Sequence, residues 1–118
     1  KNNLRKIIKI VHPKIRKKTN IFIKKNKKNK FIILDIPLLL ENKINKKKDI
    51  LIFVDSKKGE ILKRLKKRKN FNHKIINRFR KIQLSLDYKK KKSNFIIKNN
   101  FTNKFVKKQI KYILKQLY

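Results

Sequence analysis

Apolar residues recur at helical spacing at the start of the chain. Leu4, Ile7, Ile8 and Val11 fall at i, i+3, i+4 and i+7, the stripe of an amphipathic helix. His12-Pro13 interrupts the stripe, because a proline disfavours helical geometry in the residue before it. A second helix is predicted to follow, with Pro13 tolerated in its first turn and Ile15, Thr19, Phe22 and Ile23 on its apolar side. Residues 24–30 are a polar basic link. The pattern then changes: residues 31–36, Phe-Ile-Ile-Leu-Asp-Ile, form a short apolar run of the kind that makes a buried parallel strand.

A charged connection follows, and residues 49–55 predict a second buried strand, Asp-Ile-Leu-Ile-Phe-Val-Asp. Ser56 is a candidate N-cap for a helix marked by Ile61, Leu62 and Leu65 and running to about Arg68. Asn72 caps another, with Ile75, Ile76, Phe79 and Ile82 on one face; residues 84–92 read as a short helix or turn. Phe95-Ile-Ile97 predicts a third strand, and Phe105, Val106, Ile110, Ile113, Leu114 and Leu117 a C-terminal helix. Strands alternating with helices indicate an α/β fold with a parallel sheet, and no internal repeat or second domain interrupts residues 1–118.

Composition adds a second question. The 118 residues carry a formal charge of +33, which by itself suggests a nucleic acid or another polyanion as partner. Lys, Asn and Ile together exceed half the chain, Ala is absent and Gly occurs once. Those three have AT-rich codons, whereas Gly, Ala, Pro and Arg have GC-rich ones, so a biased genome accounts for the charge without selection for polyanion binding. No Gly-aromatic strand motif or GXXG loop of RNA-binding modules is present. The absence of Cys excludes disulfides and thiolate metal sites. No apolar run approaches the ~18 residues of a membrane span, and no signal-peptide core opens the chain, so a cytoplasmic location is expected. The chain begins with Lys1 and passes at once into a helical pattern; residues upstream are therefore expected.

The chemistry concentrates around Asp35-Ile-Pro-Leu-Leu-Leu-Glu41, where an apolar run ends in a carboxylate and breaks at Pro37 into a short turn. In open α/β sheets ligands bind outside the carboxyl ends of the strands. Further spaced signals accompany it: Leu4 with His12-Pro13, Val54-Asp55 before a helix, Arg64-Leu65-x-x-Arg68, Arg78 with Gln83, Lys89, and Phe95-Ile-Ile-Lys-Asn99. Together they resemble the dephospho-coenzyme A kinase family of P-loop nucleotide kinases, over nearly all of the chain and about the last two-thirds of the family. The Pro-Leu-Leu-x-Glu block is the most specific piece; the Arg-Leu-x-x-Arg piece alone is weak, since any basic helix can supply it.

The resemblance implies a parallel-sheet P-loop kinase fold with helices on both faces, lacking its first strand and phosphate loop. It implies phosphoryl transfer from ATP, with Mg2+, to the ribose 3′-hydroxyl of dephospho-CoA. The family's phosphate loop cannot be written here: Gly59 is the only glycine, so no Gly-x-x-x-x-Gly-Lys-(Ser/Thr) exists in 1–118. The chain is accordingly expected to be a single partial kinase domain comprising the substrate-binding, lid and C-terminal parts. In the implied fold the phosphate-loop strand lies between the strand at 31–36 and that at 49–55. Its loss strips ladder partners from both, so 1–118 alone is expected to be unstable and inactive.

By the same resemblance Arg64 is the catalytic candidate, reaching the ATP phosphates from the lid; its planar fork suits phosphate oxygens, and a solvated helix face is the bland alternative. Arg68 and Asn99 are candidates for ATP; the bland alternatives are a solvated helix face for Arg68 and a turn former for Asn99. His12, Asp35, Pro37, Leu38, Leu39, Glu41 and Arg78 are the substrate-side candidates. Asp35 either orients the substrate loop, holds a water in the metal's outer shell, or caps the following turn; Leu38 and Leu39 also suit plain core packing, and His12 a structural hydrogen bond. No metal-binding cluster is readable. Two departures from the family stand out: Ser93-Asn94 in place of Ala-Asp, and Phe101 where a Gly is frequent. A basic nucleic-acid-binding protein and a related nucleotide kinase with another acceptor are the competing readings.

Overall fold

The computed structural model describes residues 2–118, and the side chains of residues 1–5, 7 and 8 lie outside the description. The chain forms two compact units, 1–46 and 47–118.

The first unit opens with α1, Asn2–Lys25, a 24-residue helix about 36 Å long. The break expected at His12-Pro13 does not occur: Pro13 lies inside a single continuous helix. Proline removes one intrahelical hydrogen bond, but its fixed φ already suits a helix, and helical residues on both sides carry the axis through. Of the apolar stripe predicted first, Val11 is exposed, while Leu4, Ile7 and Ile8 have side chains outside the described residues. The helix ends at Asn26, whose backbone N–H and side-chain Nδ2 both donate to the Phe22 carbonyl, at 3.1 and 2.8 Å.

Residues 31–36 do not form the predicted strand. Exposure still alternates residue by residue, with Ile32, Leu34 and Ile36 half-buried and Ile33 88% exposed. The period-two pattern is thus realised without a sheet, since a strand needs a ladder partner as well as the right residues. The segment leads into a one-turn helical loop closed by three backbone bonds: Asn42 N–H to Leu38 O, Lys43 N–H to Leu40 O and Ile44 N–H to Leu39 O. The last two make the paired six-to-one and five-to-two bonds of a Schellman motif. Lys43, at φ 49, occupies the left-handed position usually given to glycine.

In the second unit β1 (Ile52–Asp55) pairs in parallel with β2 (Phe95–Lys98), Ile52 opposite Phe95 and Asp55 opposite Lys98. Between them run α2 (Lys58–Lys66), α3 (His73–Ile82) and α4 (Leu86–Lys92), and α5 (Asn103–Gln116) follows β2. The predicted strand at 49–55 is shorter than expected and only half covered: Phe53 and Asp55 are half-buried, whereas Ile52 and Val54 are exposed. Side chains alternate across a sheet, so one face of β1 lacks a covering layer among the described residues. Ile97 on β2 and Ile113 on α5 are the buried apolar residues, at 7% and 5% exposure, and α5 packs on β2.

Polar side chains finish the sheet. Asn94 Oδ1 accepts the Leu51 N–H at 2.8 Å while the Asn94 N–H donates to Leu51 O at 2.8 Å, extending the ladder by one step. Gln109 of α5 accepts the Lys98 N–H and donates to the Lys98 carbonyl, at 2.9 and 2.8 Å, imitating a strand partner at the end of β2. Asn72 caps α3 as predicted, its Oδ1 accepting from Lys74 N–H at 2.9 Å and Ile75 N–H at 3.4 Å. Ser85 does the same for α4. Ser56 does not cap α2; the N-cap is Lys57, without a side-chain bond.

Candidate active site

The candidate residues fall into two groups, one in each unit. In the first unit Arg16 of α1 donates from Nη2 to the Asn42 carbonyl at 2.9 Å, with a longer contact to the Lys43 carbonyl at 3.5 Å. Those carbonyls lie at the C-terminal end of the helical turn, where orphan acceptors favour a cation. His12, half-buried, sits one turn before Arg16 and so shares its side of the helix. The bond ties α1 to the loop carrying Pro37, Leu38, Leu39 and Glu41. Leu38 has φ 55 and is half-buried with Leu39 and Glu41; Pro37 and Asp35 are exposed. Asp35 therefore stands at the surface, just before the turn.

In the second unit candidate side chains gather at the carboxyl ends of β1 and β2. Asp55 at the end of β1 pairs with Lys90 of α4 at 3.0 Å, and the same ammonium lies 5.6 Å from the Phe53 ring centroid. The Asn99 N–H donates to the Asp55 carbonyl at 2.7 Å, which carries the ladder one residue past β2. Asn99 Oδ1 accepts the Phe101 N–H at 2.8 Å, so this residue is a turn former, with its amide nitrogen remaining as a donor. Arg64, on the last turn of α2, lays its guanidinium over the Phe101 ring, Cζ 3.7 Å from the centroid.

Arg64 and Arg68 separate. The predicted helix to Arg68 stops at Lys66, and Arg68 instead lines a groove of about 560 Å³ between α2 and α3, together with Ile61, Leu65, Phe71, Ile76 and Phe79. Arg78 lies on α3, exposed and outside that groove. Among the described residues no three His, Cys, Asp or Glu side chains assemble as a metal site.

Sequence reasoning missed Arg16, Phe101 and Gln109. Arg16 carried a usable signal, an Arg four residues after His12 in a chain that elsewhere prefers Lys. The roles of Phe101 and Gln109 depend on contacts 37 and 11 residues away and left no local trace.

The family model for dephospho-CoA kinase matches residues 1–104. The chain belongs to the dephospho-CoA kinase family. Curated dephospho-CoA kinases agree: that of Wolbachia pipientis wMel is 34% identical over 110 residues, covering 92% of this chain and 56% of the relative. The dephospho-CoA kinase of Bacillus anthracis is 35% identical over 112 residues (92% and 55%), and that of Fusobacterium nucleatum subsp. nucleatum 35% identical over 102 residues (85% and 51%). The chain thus spans about half the length of the curated relatives it matches. Membership of the dephospho-CoA kinase family favours the kinase reading over the polyanion-binding one suggested by charge. Among the described residues no helix is long and apolar enough to cross a membrane.

Proposed function

We propose that residues 1–118 are the acceptor-binding, lid and C-terminal portion of a kinase that transfers the γ-phosphoryl group of ATP to the ribose 3′-hydroxyl of dephospho-CoA, giving coenzyme A. The observation carrying this reading is the family match over 1–104, which takes in both units and both groups of candidate residues. The two units are accordingly parts of one kinase domain.

In the reaction the ribose hydroxyl releases its proton to water as its oxygen bonds to the γ-phosphorus, the bond to the β–γ bridging oxygen breaks, and ADP leaves. Such transfer depends on positioning and on neutralising charge rather than on covalent help from the protein. Arg64 supplies a guanidinium to the phosphates, Arg68 a second cation, and Asn99 an amide donor to the adenine edge. His12, Asp35, Pro37, Leu38, Leu39, Glu41 and Arg78 serve the dephospho-CoA side. The shared acceptor turn at 37–44 is held by Arg16.

Mg2+ accompanies ATP in this chemistry, neutralising phosphate charge. The residues here do not fit a protein site for it: no cluster of ligands is available among those described, and Asp55 is already paired with Lys90. With one glycine, 1–118 also has no triphosphate loop. Both functions are assigned to a segment outside these residues, whose strand would pair with the edge of β1 that has no ladder partner among the described residues.

The test is an ADP-release assay with dephospho-CoA as acceptor. The protein as encoded in full is expected to turn over, Arg64→Ala to lower kcat about 100-fold, and residues 1–118 alone to be inactive. Phosphorylation of a different acceptor in preference to dephospho-CoA, or turnover by 1–118 alone, overturns the reading.

A further inference from the structure

Phe101 has φ 62, the left-handed region in which a glycine is unstrained and a bulky side chain is not. Three neighbours hold it there. Asn99 Oδ1 accepts its N–H at 2.8 Å, and Asn100 Oδ1 accepts both the N–H and the hydroxyl of Thr102, at 3.0 and 2.7 Å. The turn itself continues the sheet through the Asn99 N–H to Asp55 O bond. A turn fixed this closely, carrying an aromatic residue in a conformation that disfavours one, gives the ring a defined position at the end of β2.

The ring is half-buried, and Arg64 covers it at 3.7 Å. Stacking engages the flat face of a guanidinium, while its five N–H donors lie in the plane at its edge. The ring therefore holds the cation without using the donors that would take an anion. An ion pair with a carboxylate would do the opposite, consuming the fork.

We propose that Phe101 is a positioning residue for Arg64, seating its guanidinium beside the Asn99 turn with its donors left for the phosphates of a bound nucleoside triphosphate. This rests on the role of Arg64 given above. It adds that the glycine-like site at 101 is used by this chain to join the lid helix α2 to the turn after β2. Base-side and phosphate-side contacts are then set by one short segment, 99–101.

The probe is ATP, titrated into the protein as encoded in full and followed at the Arg64 Nε–H resonance, which separates this site from the general attraction of a highly positive surface. Charge is kept constant by using Arg64→Lys rather than a neutral substitution. In the free protein the Arg64 signal is expected to show the upfield ring-current shift of a stacked group, lost in Phe101→Leu and Phe101→Gly and kept in Phe101→Tyr. ATP should bind about fivefold more weakly to the Leu and Gly variants and normally to the Tyr variant. Arg64→Lys/Phe101→Gly should bind no more weakly than Arg64→Lys, because the ring acts only through the guanidinium. Phe101→Gly removes the backbone strain together with the ring, so it remains readable if the Leu variant fails to fold. Unchanged ATP affinity in Phe101→Gly, with weakened binding in Arg64→Lys, overturns the positioning role alone. Unchanged affinity in Arg64→Lys overturns the phosphate role of Arg64, and the positioning role with it.

Discussion

Arg16 reaches from the middle of α1 to the carbonyl oxygen of Asn42, 26 residues away, at 2.9 Å. One side chain thereby fixes where the loop at 37–44 lies against the helix that carries His12. Hydrogen bonds to charged groups contribute about 1.5–3 kcal/mol when shielded, and the exposure of this one places it at the low end. Arg16→Gln is expected to destabilise the loop by about 1 kcal/mol. Amide hydrogen exchange reads this directly: protection at Asn42, Lys43 and Ile44 should fall about fivefold, with little change in the second unit. Equal protection in the variant would mean that the loop is held by its own backbone bonds.

Lys43 closes the same loop at φ 49. A lysine there bears a steric penalty of about 1 kcal/mol that glycine lacks. Lys43→Gly should therefore stabilise the loop despite the greater freedom of glycine in the unfolded chain, while Lys43→Ala should be neutral. Leu39 and Ile44, the residues that flank the motif's hydrophobic contact in other proteins, are both half-buried here and unaffected by the change. Thermal melts of the three proteins provide the comparison; a lower Tm for the glycine variant would contradict the strain assigned to Lys43.

What the sequence made legible was local. The cap at Asn72, the helices at 73–82 and 103–116 and the short strand before Asn99 all follow from side chains within a few residues of one another. The errors arose where a partner decides the outcome. Residues 31–36 have the composition and alternation of a strand, yet pairing is a property of two segments and not one. Pro13 has the signature of a helix boundary, but a favourable run on both sides outweighs the single lost bond. The site shows the same division. The residue types at Asp35–Glu41, Arg64 and Asn99 were readable, whereas the seat of Arg64 on Phe101 and the tether from Arg16 were not.

Ile113 tests how much of the second unit's stability comes from its small core. It is 5% exposed on α5, which packs on β2 where Ile97 is buried. Truncating a buried isoleucine to alanine removes about 2–5 kcal/mol, which is a large part of the 5–15 kcal/mol typical of a whole domain. Ile113→Ala is expected to abolish cooperative unfolding of this unit in urea. Tyr112→Ala, one residue away and 63% exposed, should shift stability by no more than about 0.5 kcal/mol. Similar effects for the two would show that α5 contributes propensity rather than packing.

Charge sets the last expectation. Thirty-nine basic residues face six acidic ones, and the basic side chains recur on every helix, with Lys89, Lys90, Lys91 and Lys92 consecutive on α4. Like charges held within a folded chain repel more than in an expanded one, so the net charge of +33 disfavours the compact state. Screening shortens the reach of that repulsion, from about 10 Å at 0.1 M salt to about 3 Å at 1 M. The Lys90–Asp55 pair, only about one-third exposed, is weakened by salt far less than the diffuse repulsion is relieved. Raising NaCl from 0.05 to about 0.5 M should therefore increase Tm, and sodium sulfate at equal ionic strength should raise it further by also strengthening apolar burial. A protein stabilised chiefly by surface ion pairs would behave in the opposite way, losing Tm as NaCl is added, and a fall of that kind would locate its stability in attractive charge pairs instead of in Ile97, Ile113 and the backbone ladder of β1 and β2.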